Sequence, residues 1–171
     1  MTPAPSGPNI AYIGLGSNVG ERADHLRAAV AALAAEADIT VTAVSGVLET
    51  MPVGGIEQPP FLNAVVEVET TRSPRALLDA CQRIERERGR DRRTGGRWGP
   101  RTLDLDILLF GSAIVREPGL TIPHPRLPER RFVLGPLTEI APKAVHPGLG
   151  RSVESLFEAL GVECGPEEPC S

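Results

Sequence analysis

Aromatic residues and lysine are scarce in this chain of 171 residues. Only 4% of its positions are aromatic, and Lys143 is the one lysine. So few rings leave little material for a base-stacking surface, and the chain has no G-x-x-x-x-G-K-S/T sequence, which excludes a P-loop kinase. The net charge of -4 and the pI near 5.4 argue against a globally basic nucleic-acid binder. Any positively charged site must therefore be local.

Cysteine and long apolar runs are also in short supply. Cys81, Cys164 and Cys170 form an odd set without the spacing of zinc ligands, so we expect reduced thiols rather than a disulfide framework. No stretch contains 18 uninterrupted apolar residues, and the first eight residues have neither the basic nor the apolar region of a signal peptide. We therefore expect a soluble cytoplasmic protein that does not contact a membrane.

The size and the apolar content favour one folded domain. The hydrophobic fraction is 41%, and a domain of this length buries about two-thirds of its unfolded surface. The 17 prolines and 18 glycines follow no period, which excludes a collagen-like chain. We predict a single domain at residues 10–160, between a flexible leader at 1–9 and a flexible tail at 161–171.

Hydrophobic periodicity predicts the order strand, helix, strand, strand, helix, strand. This order is typical of an α+β, ferredoxin-like split-βαβ fold, in which an antiparallel sheet carries helices on one face. We expect extra elements after residue 111. The six segments are a strand at 10–15 followed by a glycine-rich turn, a helix at 22–36, a strand at 39–50, a strand at 62–69, a helix from 74 to about 89, and a strand at 103–110.

Alternation along the last two strands predicts which side chains share a face. The strand at 62–69 alternates in a way that indicates one covered face and one largely polar face. In the strand at 103–110, strict alternation places Leu109 with the leucines at 103 and 105. The same alternation places Phe110 on the opposite face, with Asp104 and Asp106.

The aspartate pair on the last strand is the strongest chemical signal. Residues two apart on a strand face the same way, so Asp104 and Asp106 present two carboxylates, about 7 Å apart at their Cα atoms. Such a pair on an apolar strand needs a cation, and oxygen ligands without histidine or cysteine favour Mg²⁺ over zinc. Magnesium indicates phosphate chemistry. A solvated edge strand is the alternative for an isolated Asp-x-Asp.

An arginine-rich stretch precedes the aspartates. Eight arginines and three acidic residues between Gln82 and Arg101 give it a charge of +5. The first arginines suit the solvated face of a helix, whereas those from 90 to 97 flank a Thr-Gly-Gly sequence in a loop. Guanidinium groups bind phosphate oxygens bidentately, and a glycine-hinged loop can deliver them to a polyphosphate. Taken alone, the stretch also fits a disordered, solvated loop. The carboxylates beside it favour polyphosphate.

Three other features are less specific. The glycine-rich segment at 14–20 has its third glycine one residue late for a dinucleotide-binding G-x-G-x-x-G. Phe61 and Trp98, predicted in loops, suggest a flat ring ligand, although core packing is the alternative for any one aromatic residue. His124 stands between two prolines, where it could donate to a phosphate or serve a structural role.

Seven segments of the sequence match one known enzyme family. They are YIGLGSN at 12–18, TMPVG at 50–54, Gln58, FLNA at 61–64, RWGPRTLDLDILL at 97–109, IPHPR at 122–126 and FVL at 132–134. Over nearly all of residues 10–150 the chain resembles the 6-hydroxymethyl-7,8-dihydropterin pyrophosphokinase family of folate biosynthesis. The resemblance implies a ferredoxin-like fold and an enzyme that transfers pyrophosphate from ATP to the pterin hydroxymethyl group, releasing AMP.

The resemblance also implies the catalytic and metal-binding residues. Asp104 and Asp106 would bind two Mg²⁺ ions that bridge the ATP phosphates and the attacking hydroxyl. Arg90, Arg92 and Trp98 would belong to a loop that closes over the site. We expect a monomer that acts on these two small-molecule substrates and binds no nucleic acid.

The same resemblance implies the residues that bind the substrates. Phe61 and Phe132 would sandwich the pterin, while Asn63 and the loop backbone at Thr50 and Val53 would read its hydrogen-bonding edge. The residues implied for ATP are Trp98, Arg101, His124 and Arg130, with Gln82 and Glu85 near the nucleoside.

Two rival functions make different predictions. A ferredoxin-like RNA-binding module would stack aromatic residues on its central strands, which here carry leucine, valine and aspartate instead. A two-metal phosphodiesterase or nuclease would use the same aspartate pair, but such sites commonly recruit more carboxylates or histidines. Formation of AMP from ATP separates the nuclease from the pyrophosphokinase.

Overall fold

Residues 8–51, 59–89 and 103–160 are described by a computed structural model of the chain. Among the helices in these ranges, none has both the length and the apolar character to cross a membrane. The elements are β1 (Asn9–Ser17), α1 (Arg22–Ala35), β2 (Ile39–Val44), β3 (Leu48–Thr50), β4 (Phe61–Thr70), α2 (Pro74–Glu87), β5 (Asp104–Phe110), β6 (Val115–Glu117), β7 (Leu120–Ile122), α3 (Arg131–Ile140), β8 (Val145–His146), β9 (Arg151–Ser152) and α4 (Val153–Ala159).

The main sheet has the strand order β2-β4-β1-β5, and β3 also pairs with β4. Every neighbouring pair is antiparallel. This order follows from two βαβ units whose crossover helices return the chain to the sheet, so the predicted α+β, ferredoxin-like fold is confirmed. β1 begins at Asn9, the last residue of the predicted leader.

The predicted continuous strand at 39–50 is wrong, because the chain divides it into β2 and β3. Ser45 lies at the break and is buried. Its backbone N–H donates to the Val65 carbonyl oxygen at 2.9 Å, and its hydroxyl accepts the Val65 N–H at 2.8 Å. The serine side chain therefore takes the place of a backbone acceptor, and the strand is interrupted without leaving the Val65 amide unpaired.

The crossover helices α1 and α2 cover one face of the sheet. Leu26 and Leu33 of α1 and Leu77 of α2 pack there against the apolar face of the strands. The Ser73 hydroxyl accepts the Ala76 N–H at 3.1 Å, and Pro74 opens α2, as the sequence predicts. The helix ends near Gly89, whose φ of 88° suits glycine.

The opposite face of the sheet is covered by α3 and α4. Val65 of β4 is 1% exposed and belongs to the same buried cluster as Leu134 and Leu137 of α3. The prediction that the second face of β4 is uncovered and largely polar is therefore wrong at Val65. The extra elements predicted after residue 111 include α3, which supplies a second layer, so helices lie on both faces of the sheet and not on one face as expected.

A β-bulge in β5 reverses the predicted faces of its last residues. Tyr12 pairs with Leu109 and Ile13 pairs with Ile107, so Leu108 is the extra residue. Leu109 consequently joins the cluster under α3, while Phe110 joins the core under α1 and α2. The predicted faces of Leu109 and Phe110 are wrong for this reason.

Candidate active site

A cavity opens on the α3 side of the sheet, where β1 ends and β4 and β5 begin. It is lined by residues from five separate parts of the chain, so no single sequence motif forms it. The lining includes eight of the predicted site residues: Thr50, Phe61, Asn63, Asp104, Asp106, His124, Arg130 and Phe132.

The remaining predicted site residues divide into two groups. Gln82 and Glu85 lie on α2 and are not among the residues that line the cavity. Glu85 is 1% exposed, and its role and that of Gln82 near the nucleoside stay predictions. The others, Val53, Arg90, Arg92, Trp98 and Arg101, lie outside the described residues.

The two aspartates face the cavity because Leu105 between them faces α2. Asp104 and Asp106 are half-buried, whereas Leu105 is 1% exposed in the core. β1 runs antiparallel beside β5 and places Gly16 opposite Asp104 and Gly14 opposite Asp106. Because neither glycine has a side chain, the floor of the cavity next to both carboxylates is open.

Gly16 also faces Asn63 of β4, on the other side of β1. A Cβ atom at Gly16 would lie 3.2 Å from Asn63 Oδ1, closer than ordinary van der Waals contact. The sequence predicted that β1 ends at residue 15 in a glycine-rich turn, but the strand continues through Ser17. Gly14 and Gly16 were therefore missed as site residues, although glycines at alternate positions of a strand signal a close approach on one face.

The donor set at the aspartates fits Mg²⁺. Within the described ranges, no group of three or more histidine, cysteine, aspartate or glutamate side chains is arranged to hold a metal ion. Two carboxylates are too few for a site made of protein ligands alone. Mg²⁺ commonly binds through one or two carboxylates together with water and substrate phosphates. The pair therefore suits a cation shared with a phosphate ligand.

His124 presents a neutral ring to the cavity. Its Nδ1 accepts the Arg126 N–H at 3.1 Å, so in the neutral ring the proton is assigned to Nε2. Burial, followed by the charge of Arg130, lowers the pKa of His124 from 6.5 to about 4, although Asp104 acts in the opposite direction. At neutral pH the imidazole is therefore a hydrogen-bond donor without a net charge.

Arg130 and Phe132 stand at the beginning of α3. The Arg130 guanidinium carbon lies 5.5 Å from the centroid of the Phe132 ring, within the range of a cation–π contact. Both residues line the cavity, and so does Phe61 from β4. One wall therefore offers a positive charge, and two different elements offer aromatic rings.

Asn18 and Arg22 hold the chain immediately before Phe61. Asn18 Nδ2 donates to the Pro59 carbonyl oxygen at 3.1 Å, and Arg22 Nη1 donates to the Pro60 carbonyl oxygen at 2.7 Å. Arg22 also lies 3.1 Å from Glu49 of β3. Sequence reasoning missed both residues as contributors to the site, because their partners are about 40 positions away.

Known proteins are similar in sequence to this chain over most of its length. Residues 12–142 match the family model described as 7,8-dihydro-6-hydroxymethylpterin-pyrophosphokinase (HPPK). The 2-amino-4-hydroxy-6-hydroxymethyldihydropteridine pyrophosphokinase of Bacillus subtilis is 54% identical over 132 residues, which are 77% of this chain and 78% of that protein. The protein of the same name from Pseudomonas aeruginosa is 43% identical over 152 residues, 89% of this chain and 92% of that protein.

A solved structure has the same fold. The crystal structure of wild-type Plasmodium falciparum HPPK-DHPS superposes with a TM-score of 0.67 at 16% identity, over 89% of this chain and 44% of that chain. The chain thus spans less than half of that longer protein, and the likeness concerns the fold alone. The family model and the curated relatives confirm the resemblance, and this chain belongs to the 7,8-dihydro-6-hydroxymethylpterin-pyrophosphokinase family.

Proposed function

We propose that the cavity binds ATP, Mg²⁺ and 6-hydroxymethyl-7,8-dihydropterin together. As a member of its family, the chain is an ATP-dependent pyrophosphokinase of folate biosynthesis. It transfers pyrophosphate from ATP to the hydroxymethyl group of the pterin and gives AMP and the pterin diphosphate. One observation carries the assignment of the site: the Asp104–Asp106 pair and the rings of Phe61 and Phe132 line the same cavity.

Asp104 and Asp106 would hold Mg²⁺, two ions in our proposal, beside the phosphates of ATP. When bound, Mg²⁺ supplies charge neutralisation and lowers the pKa of a coordinated hydroxyl. The chain supplies the placement: β5 presents both carboxylates on one face, and the glycines of β1 leave room beside them. Two carboxylates alone would repel a polyphosphate, so their place in this cavity is consistent with a cation-dependent substrate.

His124 and Arg130 are suited to the phosphate oxygens of ATP. The neutral His124 ring offers a donor, and Arg130 offers a guanidinium group at the beginning of α3. The proposal extends to residues outside the described ranges: Arg101 would bind ATP, and Arg90, Arg92 and Trp98 would close over the site and exclude water. The proposed neighbours of the nucleoside are Gln82 and Glu85.

Phe61 and Phe132 would bind the two faces of the pterin ring. Asn63, together with the backbone at Thr50 and Val53, would read its hydrogen-bonding edge. The Asn63 amide nitrogen donates to the Thr50 hydroxyl at 2.7 Å, so the orientation of the amide is set before the pterin binds. A rigid amide can distinguish a donor from an acceptor on the edge of the ligand.

We also propose that residues 10–160 form a single domain that acts as a monomer in the cytoplasm, where ATP is available. The support is that residues proposed for both substrates, Asp106 and Phe61 among them, line one cavity within a single chain. Light scattering of the purified protein gives the mass in solution directly. A dimer mass would contradict the proposed monomer without affecting the proposed chemistry.

Product analysis tests the function. The protein is mixed with ATP, Mg²⁺ and 6-hydroxymethyl-7,8-dihydropterin, and AMP is separated from ADP by chromatography. We expect AMP only when the pterin is present, in equal amount to a pterin diphosphate. Formation of ADP would indicate an ordinary kinase, and AMP without the pterin would indicate a phosphodiesterase. ATP binding without turnover would contradict the proposed acceptor.

A further inference from the structure

A buried carboxylate contacts the backbone between the two aspartates. Glu85 lies on α2 and is 1% exposed. Its Oε2 atom accepts the Leu105 N–H at 2.8 Å, and Leu105 is the residue that separates Asp104 from Asp106. Among the described strands, β5 pairs only with β1 and is the edge of the main sheet. Glu85 therefore joins this edge strand to α2 at the position where the strand presents its carboxylates.

Packing alone does not favour an acidic residue at position 85. The neighbouring positions on the same face of α2, Cys81 and Ile84, are apolar and buried. Burying a carboxylate costs free energy unless hydrogen bonds compensate, and the Leu105 N–H supplies such a bond. Burial raises the pKa of the Cys81 thiol, and the negative charges of Glu85 and Asp106 raise it further. The Glu85 and Asp106 carboxylates therefore both influence the part of the interior around Cys81.

We propose that Glu85 is a positioning residue for the metal-binding pair, because its carboxylate holds the Leu105 amide and thereby sets the orientation of Asp104 and Asp106. The inference rests on the proposed binding of Mg²⁺ by these aspartates. It gives Glu85 a role in the reaction that needs no contact with the nucleoside, since its side chain is buried and does not line the cavity.

Edge strands explain why such a contact matters. A strand with one neighbour has fewer backbone hydrogen bonds and opens locally more easily than a central strand. The relative orientation of two carboxylates two residues apart depends on the local twist of the strand. Groups that orient metal ligands typically contribute about 10- to 100-fold to metal affinity or activity. Glu85 supplies this restraint from a helix that is itself anchored in the core.

Two substitutions distinguish the effect of the length of the Glu85 side chain from the effect of its charge. Glu85→Gln keeps the length of the side chain and an oxygen acceptor but removes the charge. Glu85→Asp keeps the charge but is one methylene shorter and does not reach the Leu105 amide. Leu77→Ala serves as the control, because it creates a cavity in the same core but lies about two helical turns before Glu85 on α2.

Two measurements are made on each full-length variant. Amide hydrogen exchange of Leu105 is followed by NMR without metal or nucleotide, and the Mg²⁺ dependence of ATP binding is followed by calorimetry. In Glu85→Asp we expect amide exchange to accelerate, relative to the unaltered protein, more at Leu105 than at Ile107. We also expect a rise of about 10- to 100-fold in the Mg²⁺ concentration for half-maximal ATP binding. Both effects should be smaller in Glu85→Gln, and Leu77→Ala should show neither.

Several results would overturn the proposal. If Leu105 exchange is unchanged in Glu85→Asp, Glu85 does not hold the Leu105 amide and the proposal fails. If exchange is faster but the Mg²⁺ dependence of ATP binding is unchanged, the contact between Glu85 and Leu105 is merely structural. Weaker ATP binding at saturating Mg²⁺ with unchanged exchange would favour a nucleoside contact. If Glu85→Asp does not fold, Glu85→Gln is compared with an apolar variant, Glu85→Leu. If Leu105 loses as much protection from exchange in Glu85→Gln as in Glu85→Leu, the proposal is likewise contradicted.

The test is separate from that of the proposed metal site. Exchange of Leu105 in the metal-free protein depends on Glu85 and not on whether the aspartates bind Mg²⁺. If Asp104→Asn leaves the Mg²⁺ dependence of ATP binding unchanged, the proposed metal site is wrong. If Asp104→Asn changes it and Glu85→Asp does not, only the positioning role is wrong.

Discussion

The Asn63 side chain donates a hydrogen bond to the Thr50 hydroxyl, 2.7 Å away, and so joins β4 to β3 at the edge of the cavity. Thr50 pairs with Phe61, which lies two residues before Asn63 on β4, so the aromatic ring and the amide lie on the same face of that strand. Asn63 is 9% exposed, so water does not compete strongly for its amide. The polar and aromatic parts of the proposed pterin site are thus held by one strand pair.

Asn63→Ala is expected to weaken pterin binding selectively. Losing a buried hydrogen bond costs about 1–3 kcal/mol, or roughly a factor of 5 to 150 in pterin affinity. ATP binding should change little, because the proposed phosphate contacts come from β5, from His124 and from the beginning of α3, and not from β4. Calorimetry with each substrate separately measures both effects. Equal weakening of both would contradict the assignment of Asn63 to the pterin.

Gly16→Ala is expected to disturb the same amide from the other side. Its Cβ would lie 3.2 Å from Asn63 Oδ1, so the amide must move by a few tenths of an ångström or lose its contact with Thr50. We expect a higher KM for the pterin with a smaller change in kcat. Gly135→Ala is the control, because a Cβ there meets Phe157 at an ordinary 3.7 Å. An unchanged KM in Gly16→Ala would show that the amide has room to adapt.

The sequence predicts the aspartate pair because that feature is local. A spacing of two on an apolar strand is enough to place Asp104 and Asp106 on one face, and the bulge in β5 lies beyond them. Leu109 and Phe110 come at and after the bulge, and their faces are reversed. Whether alternation holds along a strand depends on the partner strand, which periodicity does not include.

Residues that act through distant partners are not predictable in this way. Arg22 opens α1 as an ordinary charged residue, and only the return of the chain at Pro60 gives it a carbonyl to hold. Val65 is buried because α3, about 70 residues later, covers it. Such roles follow from the topology, so a fold prediction must come before them.

Arg22→Gln is expected to raise the KM for the pterin by loosening the segment before Phe61. The bond from Arg22 to the Pro60 carbonyl oxygen is 2.7 Å long, and the Arg22 side chain is 28% exposed. A hydrogen bond from a charged donor contributes about 1.5–3 kcal/mol, so we expect a change of roughly tenfold or more, measured by steady-state kinetics.

Glu49→Gln is the matched control for Arg22. Glu49 is 57% exposed, and exposed ion pairs contribute only about 0–1 kcal/mol. We therefore expect this variant to keep a KM close to that of the unaltered protein. If Glu49→Gln has as large an effect as Arg22→Gln, the ion pair and not the Pro60 contact holds the segment.

His124 is expected to make the folded state less stable as the pH falls from 6.5 towards 4. The unfolded chain binds a proton at the ordinary pKa of 6.5, whereas burial and then Arg130 keep the folded pKa near 4. Because the unfolded state binds more protons in this window, the free energy of unfolding rises with pH there. Urea unfolding at a series of pH values should show this slope, and His124→Gln should flatten it.

His25→Gln is the control for the titration of His124. The pKa of His25 is also lowered, by burial and then by the charge of Arg88, but His25 does not line the cavity. We expect the slope between pH 4 and 6.5 to change less in His25→Gln than in His124→Gln. A slope that His124→Gln leaves unchanged would show that the pKa of His124 in the folded protein is close to its ordinary value.

Asp106→Ala is expected to abolish transfer while ATP still binds at saturating Mg²⁺. A metal ion that stabilises charge in the transition state contributes several kcal/mol, so losing about 4 kcal/mol lowers kcat roughly a thousandfold. The exposed Asp79 of α2 provides the control, and Asp79→Ala should keep normal turnover. AMP formation is measured in single turnovers, so that slow product release does not mask the chemical step. Turnover near that of the unaltered protein in Asp106→Ala would mean that the second carboxylate is not a metal ligand, and would leave Asp104 as the only one on β5.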